Sequence, residues 1–145
     1  MSAPDPEVLR KIQQWVTFAD EDLRLARLAL TLSSGLPYRL LAFHAQQCAE
    51  KYLKAYLVCA GVDFPYTHNI RRLRELCEAS AGWIGVLDAA DDLSVFATTA
   101  RYPGEAAEVS REEALRAIAL AEQTRNVVRR ALAEQAIALA ESENA

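Results

Sequence analysis

At 145 residues, with 52% apolar and 25% charged side chains, the chain has the size and balance of one soluble globular domain whose core needs no cross-links. A net charge of −4 and a pI near 5.2 exclude a broad electrostatic grip on duplex nucleic acid, leaving room only for a local basic patch. Three cysteines without metal-type spacing, no apolar run of membrane-spanning length and no signal-type N-terminus point to free thiols in a reducing, cytoplasmic compartment.

Asp5-Pro6 is a helix start, with Asp as N-cap and Pro at the first helical position. Val8, Ile12, Trp15, Ala19, Leu23, Ala26 and Leu30 then recur at spacings of three and four, which predicts a first helix over about 6–34. Pro37 and Gly61 bracket a second, over 38–60, with no breaker inside. Thr67 can cap a third over about 68–81, with His68 in its first turn and Ile70, Leu73, Leu76 and Cys77 on its apolar side. A fourth is expected over about 84–102, with Leu87, Ala90 and Leu93 inward and Phe96 at the margin. Asp88, Asp91 and Asp92 at its start would suit the helix dipole. Ser110 and Glu113 form a capping box that opens a fifth helix, over about 111–141. No stretch alternates with period two. The expected fold is therefore all-α, a single domain over 1–145 forming an antiparallel up-and-down bundle of four to five helices.

The second helix carries the strongest functional signal. Its apolar residues cover nearly half the circumference, and opposite them lies a narrow polar stripe of His44, Gln47, Glu50, Lys51 and Lys54. An imidazole, an amide, a carboxylate and two amines in one stripe suit a partly buried binding surface. They are equally compatible with structural hydrogen bonds and an i,i+4 Glu50–Lys54 pair. Arg71, Arg72 and Arg74 read most simply as a solvated face that could also hold an anion. There is no glycine-rich phosphate loop, no HExxH and no ExxH, so no metal site and no cofactor are expected.

Three segments together, FHAQQCAEKYLKAYLVCAG at 43–61, FPYTHNIRRL at 64–73 and ARYPG at 100–104, resemble the HEPN domain, the nucleotide-binding domain of higher eukaryotes and prokaryotes. The similarity covers roughly residues 8–135. It implies a helical, usually dimeric bundle akin to the substrate-binding helical domain of nucleotidyltransferases. Members are often paired with a separate minimal nucleotidyltransferase in a toxin–antitoxin-type module. The residues carried over as nucleotide- or phosphate-binding are Gln47, Glu50, Lys51, Lys54, His68, Arg101 and Tyr102.

Many HEPN proteins are metal-independent ribonucleases with an R-x4–6-H motif near the start of the last main helix. Here no His follows Arg101, Arg125 or Arg129, and the one match, Arg39 to His44, lies on the second helix with its side chains about 140° apart. The match reads as accidental. The leading expectation is thus a non-catalytic nucleotide- or RNA-binding subunit, a homodimer contacting itself through its first and last helices. The alternatives are a ribonuclease toxin using His44 or His68, and a purely structural dimerisation module.

Overall fold

The computed structural model describes residues 4–97 and 108–139, and all regular structure among them is helical. Four α-helices, α1 (Pro6–Ala29), α2 (Tyr38–Ala60), α3 (Ile70–Cys77) and α4 (Arg111–Glu134), are joined by a 3-10 helix at Ile84–Phe96 between α3 and α4. Helix α2 is central: 13 of its 23 residues are buried, against 5 of 24 in α1, so its polar side chains must face neighbouring elements. Both α1 and α4 pack on it. Along α1 the ionic partners run in reverse order to those on the other two helices. Asp22 meets Lys51 while Asp20 meets Tyr52, and Arg27 meets Glu122 while Asp20 meets Arg125.

Helix α2 spans the stretch between its two breakers. Gly61, at φ 71°, turns the chain out, and the Val62 N–H reaches back to the Leu57 carbonyl at 3.0 Å. The other expected boundaries need correction. α1 stops at Ala29, because Leu30, Thr31 and Leu32 bond to carbonyls three residues back and tighten the last turn, short of the predicted end at 34. α3 begins at Ile70 and ends at Cys77. Its cap is Asn69, whose Oδ1 accepts from the Arg72 N–H at 3.1 Å. Thr67 instead accepts from the Asn69 N–H, which leaves His68 in the loop before the helix. α4 keeps its capping box but ends at Glu134, where Ala136 adopts a left-handed φ of 61°.

The expected fourth α-helix is the 3-10 helix. Ile84, Leu87, Ala90 and Leu93 are buried at a strict spacing of three, the period at which 3-10 side chains eclipse. Its aspartates serve neighbours and not a dipole. Arg74 on α3 holds Asp91 through two bonds of 2.8 and 2.9 Å and Asp88 through a third, and Arg116 on α4 holds Asp92. Arg74 is therefore committed to structure: the Asp91 hydrogen bonds foremost, with the Asp91 and Asp88 charges, raise its already high pKa against the opposing effect of burial.

Candidate functional site

The polar stripe of α2 is neither a solvated face nor a loose patch. Glu50 is buried, and its carboxylate is filled on both oxygens. Oε2 accepts from Lys54 Nζ at 2.9 Å, while Oε1 accepts from Gln46 Nε2 at 3.1 Å and faces His68 Nδ1 at 2.8 Å. Gln46 also donates to the His68 carbonyl at 3.0 Å and accepts from Gln47 Nε2 at 2.7 Å, so its amide orientation follows from its neighbours. Lys54 is buried with Glu50, and its ammonium lies 5.4 Å from the Trp15 ring centre and 5.9 Å from those of Phe64 and Tyr66. Burial of this pair is tolerable because every polar atom has a partner.

A second unit repeats the pattern with a carboxylate from α1. Asp22 Oδ1 lies 2.8 Å from His44 Nδ1, and Oδ2 accepts from Lys51 Nζ at 2.5 Å. Both histidines therefore present Nδ1 to a carboxylate whose other oxygen is held by a lysine. A carboxylate accepts, so Nδ1 carries the proton and Nε2 is turned away from the anchor. The His68 side chain is 41% exposed and that of His44 24%. Around α2, Gln47 lies between the two units.

Between α1, α2 and α4, Asp20 accepts from the Tyr52 hydroxyl, from Arg125 Nε at 3.0 Å and from Arg129 at 3.5 Å. Burial, reinforced by the Asp20 hydrogen bond, pushes the Tyr52 phenol well above its ordinary range. This cluster ties the three long helices together. The thiols are also set by burial: Cys77 is pushed up to about 12, Cys48 is raised by burial and then by the Asp20 and Asp22 charges, and Cys59 is raised by burial alone. None is tuned towards a reactive thiolate.

Of the residues singled out in the sequence, Gln47, Glu50, Lys51, Lys54 and His68 are brought onto one wall, with His44 at its other end. Arg101 and Tyr102 lie outside the described residues. The sequence missed Gln46, Asp20, Asp22 and Tyr66. Asp20 and Asp22 lie off the apolar repeat of the first helix and carry no local signal of their partners, while the signal for Gln46 is its pairing with Gln47 in tandem. Among the described residues no three metal-ligating side chains cluster, and no helix is long and apolar enough to cross a membrane.

The family model of the HEPN domain matches residues 12–131, most of the chain. No curated protein and no solved structure matches it.

Proposed function

The chain belongs to the HEPN domain family, and on that premise we propose that it is a nucleotide- or RNA-binding subunit acting with a separate minimal nucleotidyltransferase in a toxin–antitoxin-type pair. Family membership supports a nucleotide- or RNA-related function in general terms. The observation that carries the reading is the pair of lysine–carboxylate–histidine units on one wall, each holding an imidazole by Nδ1 and leaving Nε2 turned away from the anchor. Lys51 and His68 are the accessible groups for phosphate, and Gln47 between the units orients the ligand. Lys54 and Glu50 act from behind by fixing His68. The family resemblance adds Arg101 and Tyr102 as further residues for phosphate and base.

Isothermal titration with a panel of nucleotides and short single-stranded RNAs tests this. Heat is expected with at least one ligand, and Lys51→Ala, which removes a partly exposed side chain, should weaken binding about tenfold or more. No heat from any ligand on folded wild type overturns the reading.

A second reading is favoured by the Glu50–His68 contact, since a carboxylate on Nδ1 prepares Nε2 to take a proton from a 2′-hydroxyl. In that case the chain is a metal-independent ribonuclease. Its expression should arrest growth, and His68→Ala should relieve the arrest. Normal growth with intact bulk RNA removes this reading.

The homodimer belongs to the same proposal. We assign its contact to the outer face of α1, where Phe18, Leu25 and Leu28 are each about half exposed within roughly 80° of arc. The cytoplasmic location stays part of the reading, from the free thiols.

A further inference from the structure

We propose that Tyr66, with His68 beside it, is a stacking platform for an unpaired nucleobase attached to a phosphate. The inference rests on the nucleotide-binding reading and names the part of the ligand that the platform takes. Tyr66 is 90% exposed, the most exposed large hydrophobic side chain among the described residues. Single exposed apolar residues are common and by themselves mean little. This one differs in how it is held.

The short loop that carries Tyr66 is pinned on both sides. Before it, Phe64 packs edge-on against Trp15, with ring centres 6.3 Å apart, and Pro65 restricts the backbone. After it, His68 is tied to α2 twice, by its carbonyl to Gln46 and by Nδ1 to Glu50, and Asn69 caps α3. The Tyr66 ring meets the His68 ring nearly edge to face, with centres 5.3 Å apart, and the Lys54 ammonium lies 5.9 Å from its centre. An internal cation, itself held by Glu50, thus backs the ring from the protein side while the rest faces solvent. A ring oriented in this way pays little entropy on stacking.

The chemistry beside the ring fits a base and its sugar phosphate. With Nδ1 donating to Glu50, His68 Nε2 accepts from a base amino group or a 2′-hydroxyl when neutral, and donates to phosphate oxygen when protonated. Stacking on an aromatic face is tolerant of base identity, so the platform selects for an unpaired base over a paired one, not for a sequence. A free nucleotide and a single-stranded RNA share this chemistry.

The test is titration calorimetry on the full chain with AMP, a short oligoadenylate and ribose 5-phosphate, using wild type, Tyr66→Ala, Tyr66→Phe and Lys51→Ala, each checked for native helicity. Tyr66→Ala should weaken the base-bearing ligand about five- to a hundredfold, and Tyr66→Phe, which keeps the ring, should bind nearly as wild type. Binding of AMP alone identifies a free nucleotide as the source, and binding of oligoadenylate in preference identifies single-stranded RNA. If wild type binds and Lys51→Ala weakens it while Tyr66→Ala does not, the platform is wrong and the nucleotide-binding reading stands. An equal loss for ribose 5-phosphate also overturns the platform, since the lost contact would then not involve the base. No binding by wild type overturns both.

Discussion

Glu50 and Lys54, one turn apart on α2, form an ion pair at 2.9 Å in which the side chains are only 3% and 6% exposed. Had the pair been on the surface it would contribute about 0.3–0.5 kcal/mol, and its loss would hardly register. Buried, it behaves differently. Glu50→Gln leaves the ammonium with three aromatic rings and an amide but no counter-charge, and should cost about 3–5 kcal/mol of stability. The double variant Glu50→Gln with Lys54→Met removes both charges and should recover a large part of that loss. Urea denaturation of the three proteins checks this, and equal stability of the single and double variants would contradict it.

Alkali should unfold the protein through groups that have no part in binding. In the folded chain Cys77 holds its proton up to about 12 because it is buried, against an ordinary thiol value of about 8.5 when unfolded. Between those values the unfolded state carries fewer protons than the folded one, so stability is full below about pH 8.5 and falls as pH rises towards 12. Tyr52, raised in the same direction by burial and Asp20, adds to the decline at higher pH. Cys77→Ala should flatten the first part of the slope and Tyr52→Phe the later part, each seen in denaturation midpoints across alkaline pH. An unchanged slope in Cys77→Ala would show that the thiol is not desolvated as described.

What could be read in the sequence followed from local chemistry, and what could not depended on how helices meet. The span of α2 was visible because Pro37 and Gly61 bracket it, and the start of α4 because Ser110 and Glu113 cap each other. The 3-10 helix was misread as α because Leu87, Ala90 and Leu93 satisfy either period over three residues. Only the continuation to Ile84 makes a strict spacing of three distinctive. Polar partners from other elements were out of reach. Asp20 and Asp22 are two positions apart on α1, which sends them in different directions, yet each meets α2 because the two helices pack side by side at that level. For the same reason the stripe looked like an open set of ligands in the sequence, whereas in the fold Lys51 and Lys54 each already hold a carboxylate.

Ala136 ends α4 with φ 61°, and the Ile137 N–H closes back on the Leu132 carbonyl at 3.0 Å, with the Ala136 N–H on that of Ala133. This is the arrangement in which glycine is favoured, because a Cβ is strained in the left-handed region by about 1–2 kcal/mol. Ala136→Gly relieves that strain and gives back about 0.5–1 kcal/mol through the greater freedom of the unfolded chain. The net expectation is a gain of about 0.5–1 kcal/mol, measurable as a higher urea midpoint with the same denaturant slope. A loss of stability would show that the residue does not hold this conformation.

Phe18, Leu25 and Leu28 project from the side of α1 opposite the buried Ile12, Ala19, Leu23 and Ala26. Phe18 and Leu25 are seven positions apart and so stand almost directly in line along the helix, with Leu28 at their flank. Among the described residues the row stays half exposed, and pairing it with the same row of a second copy would remove both from water. Leu25→Lys with Leu28→Lys replaces two half-exposed side chains, so the folded chain should keep its helicity, with its thermal midpoint lowered only by the lost contribution of the dimer contact. Its sedimentation coefficient, by contrast, should drop from that of a dimer to that of a monomer. A wild type that already sediments as a monomer, or a double variant that remains dimeric, would remove α1 as the contact.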